Sequence, residues 1–363
     1  MSKPMTVGVL LLMSVAWVVS VSVSASVAMA AEDARLIVHR GDDVTAMLAR
    51  LVGEDGVARA LEHNGLSAGS APAPGQELVV PGGWLVDVTR GTAELLYVRG
   101  QVTARTPGGS SLPAGVGARL EAGDFLITGA DGSASVRLIG AEESLDHDHL
   151  FVDPGSEVEI AQLLVTEDKG WRSALVRLLK GAVEVVTSGS AESRKQVEVE
   201  TPTAIGGVRG TEFRVAVEPA AGDAPVATRV ETLDGNVMTA ASGAEATVGG
   251  GFGSRARQGS PPDPPRPLPL APAPVEPADG TAIDTFAFRW EPVDGAVVYV
   301  LEIAEDGGFL RVDQRFEIVD PEFAPASASV PRQTEPLYWR VSAVDAEGFR
   351  GLTSPPRSFT IAP

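Results

Sequence analysis

The sequence predicts a mainly β, multidomain chain in which a small β-α-α-β unit precedes two larger all-β regions. Three observations predict this. Forty glycines and 27 prolines punctuate 363 residues, an abundance that favours turns over long helices. Beyond Trp84, apolar and polar residues alternate in short runs, the period of half-buried strands. Nine prolines between Pro261 and Pro277 then divide that β region in two.

Charge and composition remove several function classes. Lys and Arg number 29 against 48 Asp and Glu, a net charge of −19. Such a chain repels phosphate backbones and anionic lipid, so no nucleic acid partner is expected. Cysteine is absent, which excludes disulfides, thiol catalysis and cysteine-ligated zinc. At the front, Lys3 precedes an apolar run from Val7 to Val27, and Ala28-Met29-Ala30 follows. Residues 1–30 read as a signal peptide cleaved after Ala30. An uncleaved anchor is the rival reading, because the run approaches spanning length. No later stretch is long and apolar enough to span, so no stable membrane insertion is expected after cleavage. The expected location is the periplasm or cell envelope.

Residues 34–82 form the first unit. Leu36 to His39 reads as a strand, and Asp42 or Asp43 as the cap of a helix with Val44, Met47, Leu48 and Leu51 on one face. Val57, Ala60 and Leu61 suggest a second short helix ending at Asn64-Gly65, and Gln76 to Val80 a closing strand. With Val38, Gly41-Asp42, Leu61, Asn64 and the closing run Gly75 to Pro81, this unit resembles the LysM domain. The resemblance implies binding of N-acetylglucosamine-containing glycan, chiefly peptidoglycan. By position the groove would set Gly41, Asp42, Asp43, Val44 and Thr45 against Asn64, Gly65 and Leu66. Asp43 stands where that family usually has Thr or Ser. Read from the residues alone, Asp42 and Asp43 need only cap a helix and Asn64 only end one.

Residues 85–258 read as strands throughout. Glu94 to Arg105 alternates around Leu96, Val98 and Val102, and Ser133 to Ile139 around Ala134, Val136 and Leu138. Glu157 to Ile160, Ala174 to Leu179 and Ala182 to Val186 follow as separate strands, the last entered through Lys180-Gly181. Gln196 to Glu200 is ended by Pro202, and two glycine turns lead to a run with Phe213, Val215 and Val217 on one face. Arg229 to Met238 contains an Asp234-Gly235 turn. Gly123-Asp124 with Thr128-Gly129, then Gly181-Ala182-Val183, Thr201-Pro202-Thr203-Ala204, Val208-Arg209-Gly210-Thr211-Glu212-Phe213 and Leu233 to Val237 come in the order of the FecR domain, which this region resembles. The motif residues Thr201, Pro202, Val208, Arg209, Gly210, Thr211 and Phe213 are read as structural. Arg209 has a functional reading, meeting an acidic partner. The glycines around it favour a guanidinium that locks the turn.

One local feature suggests metal chemistry. In Asp146-His147-Asp148-His149 the two imidazoles would share a strand face. His147 and His149 at that spacing suit a divalent ion, but no third or fourth ligand is evident. A polar connection between strands is the preferred reading, and no cofactor is expected.

Gly249 to Gly253 and Gly259 to Pro277 read as a break, and residues 259–277 as an extended, semi-rigid spacer of at most roughly 50 Å. Residues 278–363 carry six or seven short strands, which suggests an immunoglobulin-like β-sandwich. Trp290-Glu291-Pro292 before Gly295-Ala296, and Trp339-Arg340-Val341 before Asp345 to Gly348, resemble the fibronectin type III class. Trp290 and Trp339 are read as core.

No G-x-S-x-G elbow, P-loop or H-E-x-x-H motif is present, so a non-enzymatic protein is expected. His39 sits on the first strand and His63 at a helix end, neither with an obvious catalytic partner. Two functions follow from the resemblances. One is a cell-envelope protein that binds peptidoglycan and presents the FecR-like region to an unidentified envelope protein. The alternative is a FecR-type periplasmic regulator coupling an outer-membrane transporter to a sigma-factor pathway. Only a handful of residues precede the apolar run, an order that favours the first.

Overall fold

The computed structural model describes residues 33–67, 69–70, 72–139, 148–166, 172–187, 195–208, 211–222, 224–325 and 335–362. The chain is mainly β, with strands gathered into several sheets. The expected signal peptide, residues 1–30, lies outside the described residues, and none of the helices described is long and apolar enough to cross a membrane.

The front unit forms as its apolar spacing dictates. Strand Ala34–Ile37 pairs antiparallel with Glu77–Val80, and helices Val44–Val52 and Val57–His63 pack across the pair. Val44, Met47, Leu48, Leu51, Val57, Ala60 and Leu61 turn inward on the helical period. Leu164, from a strand of the next region, completes this core. The outer edge of Ala34–Ile37 would expose unpaired backbone groups. Gln162 covers it: its carbonyl accepts from Arg35 N at 2.7 Å, and its amide donates to Arg35 O at 2.9 Å. One buried glutamine stands in for a neighbouring strand.

The next region closes into a barrel around a core that includes Leu95, Leu126, Val136, Ile160, Val176, Val185, Phe213 and Val230. Its two sheets share one long strand, Arg172–Val186. That strand pairs with Glu157–Thr166 and Lys195–Glu200 along its first half, and with Asp148–Val152 and Glu212–Glu218 along its second. The sequence suggested two strands parted at Lys180-Gly181. They are one strand that changes sheets at Gly181, where φ is +84° and a Cβ would fall 2.2 Å from Ser156 Oγ.

Three other expectations need correction. In Thr92–Arg99 the buried residues are Ala93 and Leu95, not Leu96. An irregularity in register between Leu95 and Tyr97 shifts the phase before Val98. Ile205–Val208 is no glycine turn but a strand, paired with Lys195–Glu200 on one side and Asn236–Ala241 on the other. Gly249 to Gly253 does not break the region; it turns Ala244–Gly249 into Phe252–Arg257, which runs beside Ala227–Asp234.

The proline-rich segment is extended but docked. Arg266–Pro267 pairs with Phe252–Arg257, Leu268 is buried, and Pro274–Glu276 joins a three-stranded sheet with Phe288–Trp290 and Glu322–Phe323. That sheet faces a six-stranded one containing Ala296–Ala304, Val312–Ile318, Leu337–Asp345, Arg350–Thr353 and Arg357–Ile361. Between them Phe288, Trp290, Tyr299, Leu301, Trp339 and Phe359 form an aromatic core. Ring pairs such as Phe288 with Trp339, 5.3 Å apart and edge-on, are the preferred quadrupole geometry.

Strand Ala296–Ala304 is buried on both faces from Tyr299 onward. Tyr299, Leu301 and Ile303 face the sandwich core, while Glu302 turns toward the barrel. There a buried ionic cluster joins the two bodies. Arg214 donates to Glu184 at 2.8 Å and to the carbonyls of Arg350 and Gly351 at 3.2 and 3.0 Å. Arg340 donates to Glu302 at 2.7 Å and reaches Glu184 at 3.3 Å. Glu231 accepts from Arg350 N at 2.7 Å. Burial alone would raise the Glu184 carboxyl, but Arg340 and Arg214 hold it down to about 2. The same balance, with Arg340 and Arg350 dominant, keeps Glu302 well below the carboxylate range.

Candidate functional site

The turn from His39 to Asp43 builds the first candidate site. Asp42 accepts from His39 N at 2.9 Å, closing the turn, and Asp43 accepts from Ala46 N at 3.0 Å as the helix cap. Beside this turn lies a groove of about 500 Å³. Gly41, Asp42, Asp43, Val44 and Thr45 line it. The facing wall differs. It is formed by Leu61, Ser67, Gly69, Ser70, Pro72 and Pro74 rather than by Asn64, Gly65 and Leu66. Asn64 is committed elsewhere: its amide donates to Ala60 O and Val79 O, each at 2.8 Å, and its carbonyl accepts from Val79 N at 2.7 Å. It ties the second helix to the outer edge of Glu77–Val80. Leu66 packs against the unit's core. One carboxylate oxygen of Asp43 and the amide of Asn64 are therefore committed to the fold, while the groove lining includes the Thr45, Ser67 and Ser70 hydroxyls.

His39, for which the sequence offers no obvious catalytic partner, is held by two carboxylates. Its ring lies between Glu245 (2.9 Å from Nδ1) and Glu198 (3.2 Å from Nε2), and all three are nearly inaccessible to solvent. Glu245 also accepts from Arg40 N at 3.0 Å. Burial works against a charged imidazole, but the hydrogen bonds and charges of Glu198 and Glu245 outweigh it, so the His39 pKa is raised. Burial pushes Glu198 up as well, with His39 and Gln196 opposing. This clamp seats the front unit on the barrel. It also accounts for Gly207, since a Cβ there would stand 2.2 Å from His39 Nε2. Sequence spacing gave no signal for the clamp, because its members are about 160 and 206 residues apart.

The Thr201–Phe213 stretch is held by its own fold. Thr201 Oγ1 donates to Ala204 O at 2.8 Å and meets Thr228 Oγ1 at 2.6 Å, and Thr203 Oγ1 meets the same hydroxyl at 2.6 Å. Pro202 sits at the corner so formed. Val208 pairs with Val197 and Val237. Thr211 N donates to Thr187 Oγ1 at 2.6 Å, its own Oγ1 donates to Asn236 O at 3.2 Å, and Phe213 is fully buried. Arg209 and Gly210 lie outside the described residues, as does His147. His149 lies on strand Asp148–Val152 with its ring 6.5 Å from Phe151. Among the described residues no group of three or more potential ligands is placed to hold a metal.

Comparison with known proteins places these strands. Residues 124–238 match the family model described as FecR protein, from the start of Phe125–Thr128 to the start of Asn236–Ala241. No curated protein matches. Two crystal structures of a candidate anti-sigma factor from Parabacteroides distasonis are each 13% identical, with TM-scores of 0.29 and 0.27. The first alignment covers 39% of this chain and 57% of that one, the second 37% and 60%. A β-1,2-glucanase from the same organism aligns at 12% identity and TM-score 0.21, covering 76% of this chain and 38% of its own. The chain thus spans less than two thirds of each of these structures.

Proposed function

We propose that the chain is an envelope-located, non-catalytic regulatory protein of the FecR type, relaying a signal from another envelope protein toward a sigma-factor pathway. The observation that carries this reading is the FecR match over residues 124–238. The matched residues include the barrel's strands on either side of the sheet-changing strand Arg172–Val186. The hydroxyls of the Thr-Pro corner and of Thr211 are engaged in hydrogen bonds within that scaffold, which suits a protein that acts by binding. Crosslinking in the intact envelope tests it. The protein should be recovered joined to an integral membrane protein, and recovery with cell-wall material alone would contradict the proposal.

The groove at Gly41–Thr45 favours a second reading, in which the front unit is a LysM-like module holding peptidoglycan while the C-terminal sandwich, fibronectin type III-like, braces the barrel. A cleaved leader would deliver both to the envelope. Sedimentation with purified sacculi separates the readings. Wall binding predicts co-sedimentation that is lost on Thr45→Trp, which fills the groove, and protein that stays in the supernatant rules it out.

A further inference from the structure

Front unit and barrel meet across a joint rich in polar contacts. Gln162 bridges Arg35 N and O, Gln196 Nε2 donates to Ile37 O at 3.4 Å, and Glu245 accepts from Arg40 N at 3.0 Å. Leu164 adds an apolar contact to the front core. Hydrogen bonds of this kind exchange for water with little net change in free energy, so such a joint can part while each body keeps its own core. We propose that the His39 clamp is a proton-held latch: the front unit is seated while the imidazole carries both ring protons, and lifts off the barrel as one body when it loses one.

The geometry requires the second proton. Nδ1 lies 2.9 Å from a Glu245 oxygen and Nε2 3.2 Å from a Glu198 oxygen, and both carboxylates are buried. An ionised carboxylate only accepts hydrogen bonds, and a neutral imidazole has a single N–H to give. With one proton gone, a ring lone pair faces a buried carboxylate that water does not screen.

The neighbours act in the same direction. Gln196 Nε2 already donates to Glu198 at 2.7 Å, and Arg40 N to Glu245. Asp42, on the turn of His39 itself, accepts from His39 N at 2.9 Å and adds a further negative charge. The Arg40 side chain is exposed, and Gly207 brings no side chain to the ring. Burial lowers the His39 pKa, but Glu198 and then Glu245 outweigh it and raise the seated value. Seating is therefore favoured fully below the ordinary 6.5 and weakens as pH rises through the higher seated value. Glu198, itself raised by burial, contributes with the same sign.

Lifting has a local signature. Arg35 N loses its Gln162 partner and meets water, whereas Val38 N stays bonded to Gln76 O at 3.0 Å inside the unit. Amide exchange of the purified protein at pH 6 and pH 9 tests this, each rate divided by that of an unfolded peptide at the same pH. Protection of Arg35 is expected to fall about tenfold or more at the higher pH, with Val38 protection kept. Glu245→Gln should hold Arg35 protection level across that range, because its amide oxygen can accept from Arg40 N while its nitrogen donates to Nδ1 of a neutral ring. If that variant does not fold, His39→Asn, which removes the titrating ring, should likewise show no response to pH. Equal Arg35 protection at both pH values, loss of Val38 protection together with Arg35, or a response like the parent's in the variant overturns the proposal.

Discussion

His39 shows how much one side chain can decide. Its two carboxylate partners come from separate strands of the barrel, and Gly207 leaves the space its ring occupies. The clamp cannot yield easily, because moving the imidazole breaks contacts to both acids. Gly207→Ala is therefore expected to cost about 1–3 kcal/mol and to loosen the front unit. Limited proteolysis should release that unit from the variant and not from the parent. The clamp also predicts a pH dependence. Folded His39 and folded Glu198 both hold protons more tightly than their unfolded forms. The His39 contribution is complete below its ordinary value of 6.5 and fades as pH rises through the higher folded value. Melting temperature should fall from pH 6 toward alkaline pH, and His39→Asn should flatten that slope; an unchanged slope would remove the clamp from the account.

At the scale of single elements, legibility followed from where each side chain's partners lie. The two front helices were readable because their partners are three and four residues away: Val44, Met47, Leu48 and Leu51 face inward as their spacing requires. The helix cap was readable as Asp42 or Asp43 for the same reason, and the structure uses Asp43. Strands with one face on a core, such as Ser133–Ile139, announced themselves by alternation. Ala296–Ala304 was only half legible. Its Tyr299, Leu301 and Ile303 face was clear, but nothing local says that Glu302 on the other face is buried against Arg340 and Arg350. The 67–74 wall of the groove was missed because loop residues carry no period. Glu302→Gln tests the hidden face. Removing one partner leaves Arg340 and Arg350 undercompensated in a buried site, which is expected to cost about 3–5 kcal/mol. Chemical denaturation should show a lower midpoint, and a change below about 1 kcal/mol would place the pair in the class of exposed, weak bridges.

Across the whole molecule, the barrel is the hub on which both other bodies are seated, one through a histidine clamp and one through an arginine–glutamate cluster. The two joints respond oppositely to acid. Glu184, held down to about 2, and Glu302, held well below the carboxylate range, contribute fully above the usual 4.5 and lose that contribution as pH falls through their folded values. In that window small-angle scattering should show the sandwich swinging away from the barrel while the front unit stays seated. A particle of unchanged dimensions down to pH 2.5 would contradict this.

The proposed regulatory role is tested most directly by transcript profiling of a strain lacking this gene. The account predicts altered levels of a narrow, sigma-dependent set of transcripts, restored by the wild-type chain. A profile indistinguishable from the parent strain would contradict it.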